Sequence, residues 1–286
     1  MFKYESLTPE LLHIVRHKGT EKPFSSTYVT PLAHGTYLCR ACGNALFRAD
    51  SQFNSHCGWP SFDDELPGRV RREADADGRR TEILCENCHA HLGHVFGGEK
   101  LTPNNLRHCV NGLAIEFVES ETVLNTEEII VAAGCFWGVQ YYLDRLPGVI
   151  KTEVGYSGGD VQNPTYEEVC RKQSGHYEVL RIIFDCDKTD LNTVVRYFFE
   201  IHDPTQTDGQ GPDLGPQYRS AVFYYDARQQ QIVQAAMDEL RSLGYQLSTS
   251  LLPAAVFWPA ENYHQHYYDH KGSTPYCHRY TARFKK

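Results

Sequence analysis

Two cysteine pairs, each with two residues between its members, constrain the fold more than any other feature of the sequence. They are Cys39-x-x-Cys42 and Cys85-x-x-Cys88. Each pair can present two thiolates from a tight turn, and four thiolates complete a tetrahedral Zn²⁺ site with no open position. Because the pairs lie far apart in the chain, one ion bound by all four would tie together two distant hairpins. The spacing therefore predicts a structural zinc site.

Two other interpretations of these pairs remain open. A single C-x-x-C can be a thioredoxin-like redox motif, but such a motif opens a helix after a buried strand, and both pairs here lie between strand-like segments. A zinc knuckle can also read nucleic acid. The formal net charge of −8 disfavours that function, because proteins that bind phosphates normally carry a clustered basic face.

The composition restricts the class of protein. The chain has 286 residues, of which 41% are hydrophobic and 22% charged, which is typical of a folded globular protein. No run approaches the ~18 apolar residues of a membrane span, and the first residues lack the apolar core of a secretory signal. We therefore predict a cytoplasmic protein with no membrane partner. Ten cysteines in a reducing compartment indicate metal binding or catalysis more often than structural disulfides.

The length suits two domains, and a polar stretch divides the chain. We predict a first domain at 1–120, a linker at 121–127 and a second domain at 128–286, an α+β chain overall. Turn residues separate the short strands of the first domain, which predicts a mainly antiparallel β domain with structural zinc. It opens with a helical pattern at Leu11, Leu12, Ile14 and Val15, and its predicted strands are 36–39, 81–85, 93–96 and 113–118.

The second domain alternates strands with helical runs whose apolar residues recur at every third and fourth position. This pattern predicts a two-layer α/β sandwich domain, in which helices cover a sheet. The predicted strands are 129–133, 178–184 and 220–225, and the predicted helices are 135–144, 191–200 and 228–243.

Three further cysteines have neighbours that suit reactivity. Arg107 and His108 adjoin Cys109 and favour a thiolate there. Cys135 follows a buried strand and starts a helix, where the helix dipole and free N–H groups lower the pKa of a thiol. Cys57 lies in a turn beside an indole. An isolated buried cysteine more often serves as a small hydrophobic residue. The surrounding motifs are therefore needed to decide whether each of these cysteines is reactive or structural.

Five segments of the first domain follow one another in a specific order: Glu21–Ser25, the C-x-x-C-G of Cys39–Gly43, Cys57–Phe62, Cys85–Phe96 and Arg107–Asn111. Together they resemble methionine sulfoxide reductase B over nearly all of residues 1–120. The resemblance implies that Cys109 is the nucleophile and Cys57 the resolving thiol. It further implies the following: His91, His94 and Asn111 polarise the sulfoxide and its water, Trp59 lines the methyl pocket, and Cys39, Cys42, Cys85 and Cys88 bind zinc.

This sequence departs from the usual pattern of that family in two places. His108 stands where a Tyr commonly precedes the nucleophile. The loop 97–105 lacks the usual Pro-Thr-Gly run, which leaves its part in substrate contact open.

The second domain carries its own set of motifs: Gly134–Gly138, Gly155–Gly159, Asn163–Tyr166, Gly175–Val179, His202–Gln206 and Gln210–Ser220. This set resembles methionine sulfoxide reductase A over 128 to about 280. The resemblance implies Cys135 as nucleophile, Glu178 as proton donor and Cys277 as resolving thiol. It also implies that Tyr166, Asp213 and Tyr218 hold the sulfoxide oxygen and the substrate.

Other residues near these motifs also have predicted roles. Phe136 and Trp137 would ordinarily be core aromatics, but beside a poised sulfur they suit a pocket for a small S-methyl group. The Gly-rich tail of the family is replaced after Cys277, so no second recycling cysteine is available there. Cys170 and Cys186 match no motif, and we interpret both as structural.

Sulfoxide reduction needs a thiolate to attack sulfur, a proton donor at oxygen and an apolar pocket for the methyl group. Glu178 can donate a proton only if burial raises its pKa above the usual ~4.3. Attack leaves a cysteine sulfenic acid, which a second thiol condenses to a disulfide. Thioredoxin or an equivalent dithiol would then reduce that disulfide by exchange.

The two epimers of methionine sulfoxide require two enzymes. We therefore predict a bifunctional peptide-methionine sulfoxide reductase, acting on oxidised proteins or free methionine sulfoxide. It would need one zinc ion and no organic cofactor, and would not bind nucleic acid. A thiol peroxidase or disulfide oxidoreductase, and a zinc-dependent regulatory or nucleic-acid-binding protein with redox-sensing thiols, are the alternatives.

Overall fold

The computed structural model describes residues 4–75, 78–120 and 122–284. These residues separate into two compact units, the first ending at Thr126 and the second beginning at Glu127. Each unit is built around a hydrophobic core of its own. The helices of the described residues are all too short or too polar to cross a membrane.

Part of the predicted linker belongs to a strand. Glu121 lies outside the described residues, and Thr126 and Glu127 are the first two residues of a strand that runs to Ala133. Val123, which lies between Glu121 and Thr126 in the chain, is fully buried. The connection therefore includes packed and hydrogen-bonded residues.

The first unit is antiparallel, as the turn pattern predicted. Its elements are α1 (Pro9–Val15), β1 (Thr36–Cys39), β2 (Ala45–Arg48), β3 (Ser61–Phe62), β4 (Val70–Ala74), β5 (Thr81–Cys85), β6 (His91–Gly97), β7 (Leu106–Val110) and β8 (Ile115–Val118). One sheet has the strand order β2-β1-β8 and the other β3-β7-β6-β5-β4. Helix α1 begins at Pro9 because the Thr8 hydroxyl accepts a hydrogen bond from the Leu11 N–H, which caps the first turn.

Several strands of this unit differ from the sequence prediction: β2, β3, β4 and β7 were not predicted, and β6 extends beyond the predicted 93–96. The strand predicted at 113–118 starts late, because Gly112–Ala114 form a 3₁₀ turn before β8. Strand β4 was not predicted, since four of its five residues are exposed. An edge strand with polar residues on both faces lacks the alternation that identifies a half-buried strand.

The second unit is the predicted α/β sheet domain. Its elements are β9 (Thr126–Ala133), α2 (Phe136–Leu143), β10 (Val149–Ser157), α3 (Tyr166–Cys170), β11 (Tyr177–Asp185), α4 (Leu191–Glu200), β12 (Gly209–Gln210), β13 (Asp213–Leu214), β14 (Ser220–Tyr224), α5 (Ala227–Ser242), β15 (Ser250–Pro253), β16 (Trp258–Pro259) and α6 (Tyr267–Lys271). The main sheet has the order β15-β14-β9-β11-β10-β16. Strands β14 and β15 pair in parallel, whereas β9 with β14, β10 with β11, and β10 with β16 pair antiparallel.

Strand β9 shows how the sheet is covered. Ile129 and Val131 face the large core, which also contains the buried side chains of α2, α4 and α5. Ile130 faces a smaller core with Phe223 and Phe257 on the other side of the sheet. Because both faces are apolar, the strand is a continuous apolar run that ends where α2 begins.

Candidate active sites and a candidate metal centre

The four cysteines of the two C-x-x-C pairs converge on one point. Cys39 and Cys42 lie at the turn between β1 and β2, and Cys85 and Cys88 at the turn between β5 and β6. All four Sγ atoms lie within 4.8 Å of one another, and Cys39–Cys88 and Cys42–Cys85 are each 3.6 Å apart. Tetrahedral Zn–S bonds of about 2.3 Å place the sulfurs about 3.8 Å apart. The donor set and its spacing therefore fit a zinc ion.

The two turns have the same backbone form. The Gly43 N–H donates to Cys39 O at 2.7 Å, and the His89 N–H donates to Cys85 O at 2.8 Å. Both Gly43 and His89 have left-handed backbone angles, with φ of 77° and 59°. Asn44 Nδ2 also donates to Cys85 Sγ at 3.4 Å, as suits a sulfur that carries negative charge.

Cys57 and Cys109 form a pair of contacting thiols elsewhere in this unit. Their Sγ atoms lie 3.8 Å apart, and both residues are half-buried. The Ser55 hydroxyl donates to Cys57 Sγ at 3.0 Å, and the Ser61 hydroxyl lies 3.5 Å from it. The hydrogen bond from Cys109 lowers the pKa of Cys57 most, and with the two hydroxyls it brings that pKa to about 4 although burial opposes it. These contacts therefore favour the thiolate form of Cys57.

The predicted thiolate at Cys109 is wrong for the resting protein. The hydrogen bond to Cys57 raises the pKa of Cys109, and burial and the charge of Cys57 raise it further. Arg107 acts in the predicted direction but is outweighed. The Arg107 guanidinium is itself paired with Glu99 through contacts of 2.7 and 2.9 Å.

His108 lies on the other face of the sheet from Cys109, because successive residues of a strand point to opposite sides. Its ring is fully buried, with Nδ1 3.1 Å from Phe62 O and Nε2 2.8 Å from Glu65. The prediction that His108 favours a thiolate at Cys109 is therefore wrong. For the same reason, the His in place of the usual Tyr adds no group to the thiol pair.

The strand register brings polar groups to one face of the five-stranded sheet. Glu82 of β5 pairs with His94 of β6, which pairs with Cys109 of β7, which pairs with Ser61 of β3. Directly paired residues of antiparallel strands project from the same face. The rings of His91 and His94 lie with their centroids 5.6 Å apart. The structure thus brings both predicted histidines to the face that carries Cys109.

His91 has one engaged nitrogen and one free one. Its Nδ1 lies 2.6 Å from a Glu82 oxygen, and the other Glu82 oxygen lies 2.6 Å from Lys18 Nζ. His91 Nε2 is buried and has no hydrogen-bond partner among the described residues. Burial lowers the pKa of His91 despite Glu82, so the ring is neutral. His94 Nε2, by contrast, is 2.8 Å from Asp75.

Asn111 and Trp59 both contact the segment that contains Glu21. Asn111 Oδ1 accepts from the Glu21 N–H at 3.0 Å while Asn111 Nδ2 donates to Leu92 O at 3.1 Å. Trp59 Nε1 donates to Glu21 O at 3.2 Å. The Glu21 carboxylate accepts from the Gly112 N–H. Sequence reasoning assigned Glu21 no role, although a buried carboxylate in a recognised motif was a signal for one.

Cys135 and Cys277 form the thiol pair of the second unit. Gly134, with φ of 91°, turns the chain from β9 into α2, and a Cβ there would overlap Gln210. Cys135 caps α2, and both cysteines are only 7% exposed. The hydrogen bond with Cys277 raises the pKa of Cys135 most, followed by burial, whereas the Trp137 N–H lowers it. The predicted low pKa of Cys135 is therefore wrong for the resting protein, because the helix N-terminus is outweighed.

Glu178 lies buried beside Cys135, and its Oε2 accepts from the Phe136 N–H at 3.1 Å. Burial raises its pKa well above the usual value, and the nearby Cys135 adds to this effect. A protonated carboxyl at neutral pH is what the predicted proton donor requires. Burial and then Glu178 raise the pKa of both Tyr166 and Tyr218, so the structure brings these predicted residues together.

Asp213 of β13 reaches the same place from another element. It raises the pKa of both Glu178 and Cys135 as a nearby negative charge. Its two carboxylate oxygens accept hydrogen bonds from the Tyr276 hydroxyl at 3.0 and 3.3 Å. The predicted acid, thiol and carboxylate therefore share one site.

Aromatic rings line this site. The Phe136 and Tyr166 rings lie 6.5 Å apart, and Trp137 stacks on Tyr267 at 3.9 Å. His264, which sequence reasoning missed, sits among them 4.4 Å from the Tyr166 ring, and accepts from Trp137 Nε1 at 3.1 Å. The dense run of aromatic and imidazole residues at 261–268 was the signal that could have revealed it.

The two cysteines interpreted as structural differ in position. Cys170 lies at the end of α3, where its thiol hydrogen-bonds with Tyr166. Cys186 is exposed just after β11, where burial and then Glu127 raise its pKa while Arg228 lowers it. Cys170 therefore contacts the predicted substrate-binding residue Tyr166, whereas Cys186 is exposed to solvent beside charged side chains.

Taken unit by unit, the fold and the sites define a class of protein. Among the described residues, each unit holds two cysteine sulfurs in contact, beside an unpartnered imidazole nitrogen in one unit and a buried carboxyl with a raised pKa in the other. Sulfur nucleophiles next to a second thiol and a proton relay are the equipment of a thiol-dependent reductase.

Comparison with known proteins identifies the family. Residues 127–286 match the model of peptide methionine sulfoxide reductase, and residues 7–119 match the SelR domain. A peptide methionine sulfoxide reductase MsrA from Methanosarcina mazei is 44% identical over 149 residues, which cover 51% of this chain and 71% of that protein. The MsrA of Geobacter sulfurreducens is 43% identical, over 51% of this chain and 92% of that one.

A solved structure agrees with the sequence matches. Reduced Mxr1 from Saccharomyces cerevisiae superposes with a TM-score of 0.50 and 31% identity, covering 53% of this chain and 89% of that chain. The chain belongs to the peptide methionine sulfoxide reductase family, with a B-type domain followed by an A-type domain. It is a methionine sulfoxide reductase.

Proposed function

We propose that the first unit reduces the R epimer of methionine sulfoxide at Cys109 and that the second unit reduces the S epimer at Cys135. The observation that supports this most is that each nucleophile contacts a second thiol. The groups that would act on the sulfoxide oxygen also differ, with His91 in the first unit and Glu178 in the second. One chain would thus repair both products of methionine oxidation.

In the first unit, the Cys57 thiolate would be the base that takes the proton of Cys109, since the two Sγ atoms lie 3.8 Å apart. Proton transfer between the two sulfurs would leave Cys109 as the attacking thiolate. His91 Nδ1–H donates a hydrogen bond to Glu82, so its Nε2 would accept a hydrogen bond from a water molecule. That water would in turn donate to the sulfoxide oxygen, and Trp59 would contact the methyl group.

In the second unit, Glu178 would give its proton to the sulfoxide oxygen as Cys135 attacks the sulfur. Tyr166, Tyr218 and Asp213 would hold the oxygen and the substrate backbone, and the rings of Phe136 and Trp137 would accept the methyl group. The raised pKa of Glu178 supports this assignment, because a general acid must be protonated at the working pH.

Recycling would follow the same course in both units. The nucleophile becomes a sulfenic acid as methionine is released, and the second thiol attacks that sulfur, forming the disulfide and expelling water. Thioredoxin would then reduce Cys57–Cys109 and Cys135–Cys277 by thiol–disulfide exchange.

Zinc would be held by Cys39, Cys42, Cys85 and Cys88, and would supply folding stability and no step of the reaction. A closed site of four thiolates has no open position for a substrate. The ion would join the β1–β2 turn to the β5–β6 turn, and β5 and β6 carry Glu82, His91 and His94.

The proposal is tested with the full chain, resolved epimers of a methionine sulfoxide peptide, and thioredoxin. Cys109→Ser should abolish reduction of the R epimer and leave the S epimer unaffected, and Cys135→Ser should do the reverse. The variants serve as controls for each other. Loss of both activities in either variant would contradict independent sites, and a reversed pattern would contradict the assignment of epimers.

A further inference from the structure

His278 follows Cys277, and its position is unusual for a residue near the end of the described chain. Its side chain is 5% exposed. The imidazole lies between the Cys277 sulfur and the end of β9, with Nδ1 3.1 Å from Cys277 Sγ and Nε2 2.6 Å from Ala133 O. Every polar atom of the ring is therefore engaged.

These two contacts determine the tautomer. The Ala133 carbonyl oxygen can only accept, so His278 Nε2 carries the hydrogen and donates it. In a neutral ring, Nδ1 then has a lone pair and no hydrogen. Burial lowers the pKa of His278 to about 4, although the Ala133 carbonyl and Asp213 oppose this, so the ring is neutral near pH 7. The lone pair of Nδ1 consequently faces the Cys277 thiol.

The surroundings hold the ring in this place. Gly138 lies in the first turn of α2, and a Cβ at that position would overlap His278 Nδ1. The absence of a side chain at 138 makes room for the imidazole beside the helix that Cys135 caps. On the other side, Cys277 contacts Cys135. Ala133 O, the His278 ring, Cys277 Sγ and Cys135 Sγ therefore follow one another in hydrogen-bond contact.

We propose that His278 is the catalytic base that takes the proton of Cys277 when the disulfide with Cys135 forms. This inference rests on the proposed function of the second unit. A thiol is a weak nucleophile until a base removes its proton, and a buried sulfur cannot pass that proton to bulk water.

The step balances as follows. Cys135 is a sulfenic acid after methionine leaves. His278 Nδ1 accepts the proton of Cys277, and the Cys277 sulfur attacks the Cys135 sulfur, so the S–S bond forms as the S–O bond breaks. The departing hydroxide takes the proton back from His278 and leaves as water. The Cys277 thiol is oxidised, the sulfenic sulfur is reduced, and Asp213 stabilises the transient imidazolium.

Two substitutions separate the functions of the ring. His278→Gln places an amide N–H where Nε2 was, so it can retain the bond to Ala133 O, but it has no base. His278→Asn places an amide oxygen where Nδ1 was, so it can accept a hydrogen bond from Cys277 without taking the proton. The buried His202, which hydrogen-bonds to Phe198 O and Ser220, gives the matched control His202→Gln.

The experiment uses the full chain with Cys109→Ser, so that only Cys135 turns over. A single turnover is followed by two readouts: methionine released, and disulfide formed, with trapping of the sulfenic acid by a 1,3-dione. In both His278 variants we expect methionine release within about twofold of the parent and disulfide formation slower by about 10²–10⁴, the usual contribution of a positioned base. His202→Gln should change neither step in the folded protein.

Several results would overturn the proposal. Disulfide formation at the parent rate in His278→Gln would show that no base is needed. An equal slowing of methionine release and disulfide formation would indicate a structural role. Full activity in His278→Asn would show that a hydrogen bond to Cys277 alone suffices. Failure of the parent to release methionine would instead contradict the proposed function of Cys135.

Discussion

Cys57 and Cys277 occupy equivalent places in the two thiol pairs but have different surroundings. Cys57 is half-buried, accepts a hydrogen bond from the Ser55 hydroxyl and lies 3.5 Å from the Ser61 hydroxyl. Both hydroxyls lower its pKa. Cys277 is 7% exposed and faces a neutral imidazole nitrogen, which accepts a proton. Burial penalises the charged form of a thiol. A partly solvated site can therefore hold a preformed thiolate, whereas the buried sulfur of Cys277 is in direct contact with a nitrogen that can act as a base.

The nucleophiles differ less than their partners. The pKa values of both Cys109 and Cys135 are raised, in each case first by the hydrogen bond to the second thiol and then by burial. In both units the second thiol controls the proton of the first. Activation is thus a property of the pair, and the two units differ in how the partner sulfur is supported.

The largest expected effect separates reduction from recycling. Cys57→Ser should release one equivalent of methionine from the R epimer, more slowly than the parent because the base beside Cys109 is gone. It should lose thioredoxin-driven turnover, because the sulfenic acid on Cys109 has no partner thiol. Cys277→Ser should likewise release one equivalent from the S epimer and lose turnover. Methionine formation is followed with and without thioredoxin. Sustained turnover in Cys57→Ser would remove that thiol from the mechanism and break the equivalence of the two pairs.

Removal of zinc should also affect the two units unequally. Zn²⁺ binding to such a site contributes about 10–16 kcal/mol in peptides, which matches or exceeds the stability of a typical domain. Cys39→Ser or a strong chelator should therefore unfold the first unit and abolish the Cys109 activity, while the Cys135 activity persists. Metal analysis and thermal unfolding test this. One unchanged unfolding transition in Cys39→Ser would contradict a structural metal.

Glu178→Gln should reduce methionine formation in the second unit by about 10²–10⁴, the usual contribution of a general acid. Burial raises the pKa of Glu178, so the acid is present below that raised pKa and the rate should fall as pH rises through it. The variant should lose this dependence on pH. Single-turnover rates measured against pH test it, with the Cys109 activity of the same chain as control. Equal losses at both sites would contradict the assignment.

Ser55→Ala should have the smallest effect. Loss of a hydrogen bond to a charged group costs about 1.5–3 kcal/mol, so we expect the pKa of Cys57 to rise by about 1 to 2 pH units. The reactive thiolate exists above the pKa, which is about 4 in the parent. As the pH is lowered, alkylation of Cys57 should therefore begin to fall at a higher pH in the variant than in the parent. Mass spectrometry of the Cys57 peptide gives the rates, and Ser242→Ala is the control. An unchanged profile would show that the hydroxyl does not support the thiolate.

Local patterns account for most of what could be predicted. Helix α4 occupies the residues predicted from apolar spacing, because its buried side chains recur along one face. The long strand β10 was not predicted, since its first half mixes Lys151 and Glu153 with apolar residues and half-buried positions. Its place in the sheet depends on pairing with β11, which is distant in the sequence.

The errors about the two thiolates have one origin. The predicted thiolates at Cys109 and Cys135 were inferred from adjacent residues and a helix start, and both inferences neglected the second thiol. That thiol is 52 residues away for Cys109 and much farther for Cys135. His264 and Glu21 were missed for the same reason, because each becomes a site residue only through contacts with distant segments.

The sequence by itself determined the chemistry available to this protein: two sets of motifs, two nucleophilic sulfurs, four cysteines at metal-binding spacing, and the family. These are properties of residue types and short spacings, which survive without a fold. The tertiary structure decided which sulfur holds the proton, which face His108 takes and what lies next to Cys277. Protonation depends on burial and on neighbours within a few ångströms, and those neighbours come from segments that only folding brings together.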